Sequence, residues 1–168
     1  MEERIQIKEV ARDKVEEVLA LIWEVFQEFV AKDYTEEGKE TFYQQFICGE
    51  RFRDKIKEGR ETVYGAYIKE QLIGVLSVSN NHTISCAFVK GIYHRRGIGR
   101  KLFERVLKEL KERGATEVTL NASPYAVDFY HHIGFQDIEK QTSYKGIVYT
   151  PMRLQLERGI IKINGSFK

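Results

Sequence analysis

This chain of 168 residues has two cysteines, two prolines and no long apolar run. Cys48 and Cys86 show neither CxxC spacing nor a histidine partner at zinc-finger distance, which predicts reduced thiols in a cytosolic core. His82, His94, His131 and His132 fit no HExxH pattern, so no metal is expected. The longest uninterrupted apolar stretch, Val18 to Trp23, falls well short of the ~20 residues that span a bilayer. The opening Met1-Glu2-Glu3-Arg4 has no signal-peptide core, and a cytoplasmic chain with no membrane partner is expected. Charge of one sign is lacking too. Lys and Arg number 27 against 25 Asp and Glu, a net of +2, which argues against a nucleic-acid-wrapping protein and against an acidic solvating chain. Repeats, low-complexity stretches and Gly/Ser/Pro linkers are also missing. This predicts a single domain over residues 1–156 with a C-terminal extension over 157–168.

What is present is core material: 42% hydrophobic residues, ten Phe, nine Tyr and one Trp. A chain of this size buries roughly two thirds of its unfolded surface and needs no staple. Residues 4–10 read as a strand, and Asp13 as the cap of a helix carrying Val15, Val18, Leu19, Ile22, Phe26, Phe29 and Val30 at helical spacing. Residues 35–58 predict one or two further helices. The period then changes: Glu61 to Ile68 and Gln71 to Ser79 read as a hairpin turning at Lys69-Glu70, and Thr83 to Val89 as a third strand. Helical spacing returns over residues 97–113 through Ile98, Leu102, Val106 and Leu110, and Gly114 ends it. A strand over 117–121, a helix opened by Ser123-Pro124 and closed by Gly134, and a strand pair over 135–156 turning near Lys145-Gly146 complete the pattern.

The segment Val89-Lys90-Gly91-Ile92-Tyr93-His94-Arg95-Arg96-Gly97-Ile98-Gly99-Arg100-Lys101 joins a strand to a helix through a basic, glycine-bearing loop. First-turn N–H groups have no intrahelical partners, and glycines let an anion's oxygens approach them. Residues 90–113 hold nine Lys and Arg against three Glu, a net of +6, so the remainder carries −4. Cations at a helix N-terminus oppose the macrodipole by roughly 0.3–1 kcal/mol each, so Arg95, Arg96, Arg100 and Lys101 point to an anion there. A Walker A loop is excluded because Gly99 is followed by Arg100-Lys101-Leu102. A dinucleotide fingerprint is excluded because Leu102 stands where its third glycine belongs.

Together these residues resemble the GCN5-related N-acetyltransferase (GNAT) family. Its Gln/Arg-x-x-Gly-x-Gly/Ala signature, five residues after a strand-ending Val, is matched by His94-Arg95-Arg96-Gly97-Ile98-Gly99 after Val89. Its Ala-x-x-x-Tyr-x-x-x-Gly-Phe segment is matched from Ala126 through Tyr130 to Gly134-Phe135. In this chain His94 replaces the usual Gln or Arg, Gly91 stands where Pro is common, and Ser123 where many members carry Asn. The resemblance implies an α+β, three-layer fold, a central mixed but mostly antiparallel sheet with helices on both faces.

It also implies acetyl-CoA as co-substrate. The pyrophosphate would lie on Arg95 to Arg100, the pantetheine against backbone of Phe88, Val89 and Lys90, with His94, Lys101, Ser123 and Tyr130 contributing. The acceptor would be a primary amine of a small molecule or peptide, attacking the thioester directly while Tyr130 acts as general acid to the CoA thiolate. The alternative is a catalytically silent acyl-CoA-binding or sensor module on the same fold; a nucleic-acid-binding domain using the +6 segment is the third reading. Read alone, Tyr130 also fits a packing stripe with Ala126, Phe129 and Ile133, and Ser123 fits a plain helix cap. His82, Ser85 through a water, and an acid from before residue 61 are the base candidates. Tyr34, Phe42, Tyr43 and Phe46 would wall the acceptor pocket, with Asp33, Glu36, Glu37 and Glu40 either welcoming a cationic amine or forming a solvated helix face. For the extension, an added strand, a homodimer contact and a loose tail stay open.

Overall fold

The computed structural model describes residues 4–156. The 157–168 extension lies outside the described residues. β1 (Ile5–Glu9), β2 (Glu61–Ile68), β3 (Gln71–Ser79) and β4 (Thr83–Val89) form an antiparallel run. β4 pairs in parallel with β5 (Glu117–Ala122), and β8 (Ile147–Gln155) is antiparallel to β5, to β6 (Gln136–Asp137) and to β7 (Thr142–Tyr144). The eight strands run β1-β2-β3-β4-β5-β8-β6, with β7 beside β8. α1 (Val15–Val25), α2 (Glu36–Phe42) and α3 (Glu50–Lys57) pack on one face through Val18, Ile22, Phe42 and Phe52. α4 (Ile98–Glu112) and α5 (Val127–Ile133) cover the other through Leu102, Val106, Tyr130 and Ile133. This is the expected α+β three-layer arrangement.

The hairpin strands have the expected bounds, because β-branched alternation meets a turn in which Lys69 and Glu70 both adopt positive φ, 48° and 69°. The first helix differs from expectation. Asp13 belongs to a 3-10 turn, Arg12–Lys14, and α1 starts after it without a side-chain cap. α1 then widens into a π-helical segment, Phe26–Val30, and α2 into another, Tyr43–Cys48. Such wide turns shift which side chains face the sheet, and they collect at functional sites. The C-terminal strand pair is a hairpin, β7–β8, turning at Lys145-Gly146 as expected, with β6 added on the far half of β8. Its tip rests on α2. Gly146 adopts φ +80°, a Cβ there would lie 2.0 Å from Thr35 Oγ1, and Thr41 Oγ1 donates to the Lys145 carbonyl at 3.3 Å. Thr35 in turn caps α2, its Oγ1 accepting from Gly38 N–H at 3.0 Å.

A candidate acetyl-CoA site where two parallel strands part

β4 and β5 pair only at Thr83–Thr119 and Ile84–Leu120, and beyond this they diverge. The gap is the floor of a cleft of about 920 Å³ lined by both helical layers. A bulge starts the divergence: Ser77 pairs with Cys86 and Val78 with Ile84, so Ser85 is an extra residue on β4. Past the bulge the ladder is regular. Lys90 N–H donates to Ile73 O at 2.9 Å, so Lys90 and, two residues back, Phe88 turn their backbone polar groups toward β3. By the same alternation Ala87 and Val89 turn theirs into the gap. Of Phe88, Val89 and Lys90, only Val89 turns its backbone polar groups into the gap, and Ala87 does so as well. Phe88 keeps a place in the cleft through its side chain.

The glycine loop follows at once. Gly97 precedes α4 in the left-handed region, φ +76°, and a Cβ placed on it meets nothing within 4 Å. Arg95 is left-handed too, at φ 64°. Arg95, Gly97, Ile98, Gly99 and Arg100 line the cleft, so the first turn of α4 faces it with cations alongside. Arg96, Lys101 and Lys90 do not line it. The Arg96 guanidinium lies 5.3 Å from the centre of the Tyr93 ring. His94 folds back on the chain: its Nε2 pairs with Val89 O at 2.6 Å, its Nδ1 with Tyr125 OH at 3.4 Å, and its ring lies 4.5 Å from that of Phe29. It shapes the loop while still lining the cleft.

Tyr130 lines the same cleft from α5, which packs beside α4; it is 7% exposed, against Phe103 and Phe135. Burial pushes its pKa well above the ordinary phenol value, with the Cys86 thiol adding to the rise, so it stays protonated across the physiological range. Ser123 lines the cleft. Its side chain makes no cap bond; its backbone carbonyl accepts from Ala126 N–H at 2.9 Å, so the proline-led turn closes without the hydroxyl. Cys86 also lines the cleft, with Ser77 Oγ 3.2 Å from its sulfur; burial pushes its thiol up to about 12, which leaves it protonated and a poor nucleophile.

Of the base candidates, Ser85 lines the cleft, whereas His82 lies in the β3–β4 turn and does not. Tyr34, Phe42 and Phe46 wall the cleft as expected, but Tyr43 packs on Trp23 at 4.9 Å instead. Asp33, Glu36, Glu37 and Glu40 stay outside it. One acid escaped the sequence reading. Glu61, at the start of β2, is 2% exposed, and neither carboxylate oxygen has a hydrogen-bond partner. Desolvation raises its pKa, and the nearby Ser85 and Ser77 hydroxyls, outside hydrogen-bonding geometry with the carboxylate, offset part of that rise.

The model of an acetyltransferase (GNAT) domain matches residues 30–156. A coenzyme A complex of PaiA N-acetyltransferase from Thermoplasma acidophilum superposes with a TM-score of 0.76 at 20% identity, over 90% of this chain and 99% of that one. A GCN5-related N-acetyltransferase from Rhodopseudomonas palustris gives a TM-score of 0.77 at 20% identity, over 93% and 99%. An uncharacterised N-acetyltransferase, ycf52, of Gracilaria tenuistipitata var. liui is 30% identical over 88 residues, 50% of this chain and 47% of that protein. The chain thus matches about half the length of that curated relative. With a family model spanning most of its residues and the same fold in solved members, the chain belongs to the GNAT acetyltransferase family.

Proposed function

We propose that the protein transfers the acetyl group of acetyl-CoA to a primary amine of a small molecule or peptide by direct attack. One observation carries this reading: a buried Tyr130 and the glycine loop that opens α4 line the same cleft, at the gap where β4 leaves β5. The residues fit the co-substrate. The α4 first turn with Arg95 and Arg100 suits the pyrophosphate, and the Ala87 and Val89 backbone edge suits the amide-bearing pantetheine arm. The neutral amine nitrogen attacks the thioester carbonyl carbon. A β4 N–H turned into the gap donates to the oxyanion. As the tetrahedral intermediate collapses, the C–S bond breaks and the thiolate takes the Tyr130 phenol proton. A free thiol has a pKa of about 8.5, well below that of a buried phenol. Tyr130 therefore serves as an acid only in concert, donating to the sulfur as the C–S bond breaks while the protonated nitrogen of the tetrahedral intermediate returns a proton to the phenolate, which leaves the neutral amide and the free CoA thiol.

Thiol release from acetyl-CoA, with mass spectrometry of the amine, tests this directly. A panel of primary amines should give at least one acetylated product in step with released CoA. Tight acetyl-CoA binding with no product across the panel would instead identify a silent acyl-CoA sensor.

A further inference from the structure

The acceptor end of the cleft carries rings and no acid. Phe42, Phe46 and Phe88 form one wall, with ring centres 4.9 Å apart for Phe42–Phe46 and 6.4 Å for Phe42–Phe88. Tyr34 flanks them, and the β7–β8 hairpin roofs the opening with Tyr144 and Tyr149. That roof is seated on α2 by the Gly146–Gly38 approach. Among the described residues no Asp or Glu lines any part of the cleft. The titratable groups along its acceptor half are Tyr34, Cys86, Tyr130, Tyr144 and Tyr149; at the cofactor half they are Tyr93, His94, Arg95, Arg100 and Tyr125. Burial pushes Tyr34 and Cys86 each up to about 12 and Tyr130 up as well, so these line the site uncharged. The fixed charges that remain are Arg95 and Arg100, at the cofactor half, where they meet the CoA phosphates. The buried Glu61 does not line the cleft, and its desolvation favours the neutral carboxyl.

An ammonium ion moved from water to such a place loses hydration and gains no counter-charge, and cation–π attraction to the ring faces returns only a small part of that loss. Polyamines and aminoglycosides, whose several ammonium groups call for several carboxylates, find none. A flat apolar body finds ring faces on three sides. We infer that the acceptor is a small monoamine on an aromatic or alkyl body, bound as its free base, with the apolar lining itself driving off the proton that a cleft carboxylate would otherwise accept. The inference rests on the acetyl transfer proposed above and narrows its acceptor.

Binding can be read without turnover. CoA-loaded protein is titrated calorimetrically with 2-phenylethylamine, aniline and spermidine at pH 6.5, 7.5 and 8.5. An aliphatic amine has a pKa near that of lysine, about 10.4, so its neutral fraction rises about tenfold per pH unit over this range. The 2-phenylethylamine affinity should rise about tenfold per unit with it. Aniline, already neutral, should bind with little pH dependence, which separates titration of the ligand from titration of the protein. Spermidine should not bind. Tyr144→Ala, at a position 57% exposed and so safe for folding, and Phe46→Ala should each weaken 2-phenylethylamine about tenfold while CoA affinity holds. A 2-phenylethylamine affinity flat with pH, spermidine binding tighter than 2-phenylethylamine, or no effect of either variant overturns the inference. Amines bound as described but never acetylated would overturn the transfer reading and leave this one standing.

Discussion

Replacing Gly97 by alanine separates the cost of an unusual backbone from the cost of filling a ligand cradle. At φ +76° a residue with a Cβ is strained by about 1–2 kcal/mol, yet the added methyl meets no protein atom within 4 Å. For a domain of this size each kcal/mol lowers Tm by roughly 2–4 °C, so Gly97→Ala should lose roughly 2–8 °C. Gly114, at the far end of α4, is the matched control: φ +90°, again with nothing within 4 Å, and outside the cleft. Gly114→Ala should lose a similar amount. The two variants part on coenzyme A. A methyl in the Gly97 cradle holds a phosphate oxygen off the first-turn N–H groups, and one charge-assisted hydrogen bond is worth about 1.5–3 kcal/mol, or roughly 10–150-fold in affinity. Titration calorimetry with CoA should show that loss in Gly97→Ala and none in Gly114→Ala. Unchanged affinity in Gly97→Ala, or an equal loss in both, would refute the placement of the pyrophosphate.

Two further outcomes follow from the buried groups. Glu61 has its pKa raised by folding, so its favourable contribution is complete below the ordinary Glu pKa of about 4.3 and is lost as pH rises through the raised native value. Denaturant titrations from pH 4 to 8 should therefore show Glu61→Gln gaining on the parent protein as pH rises; parallel pH profiles would contradict the dry carboxyl. Cys86→Ala should keep acetyl transfer, and intact-protein mass spectrometry after mixing with acetyl-CoA should reveal no acylated protein, because a thiol held up at about 12 is not a nucleophile at neutral pH.

The sequence disclosed whatever depends on local pattern. β2 and β3 were legible to the residue, since alternation and a two-residue turn are both local signals. The loop from Val89 to Lys101 announced itself through glycine spacing and charge division. Other features depend on residues far apart in the chain. The π-helical segments at Phe26–Val30 and Tyr43–Cys48 break a 3.6 period that the apolar residues alone suggest, and the shift left Tyr43 outside the cleft. The contact of Thr41 with Lys145, which seats the roof, joins positions 104 residues apart. Which edge of β4 faces the gap was hidden until the ladder fixed the phase, which turns the backbone of Ala87 and Val89, and not that of Phe88 and Lys90, into the gap. For the acids of the 33–40 stretch the sequence left open a cationic acceptor or a solvated face, and none of them lines the cleft, which favours the solvated face.

The central claim is that Tyr130 hands its proton to the departing thiolate, and single-turnover kinetics of Tyr130→Phe with a productive amine tests it most directly. Removing one general acid costs ~10²-fold or more in rate, so the single-turnover rate constant should fall by at least that factor while acetyl-CoA affinity, held by the loop and the β4 edge, stays within twofold. A Phe variant that turns over at the parent rate would contradict the account and reduce Tyr130 to a packing residue between Phe103 and Phe135.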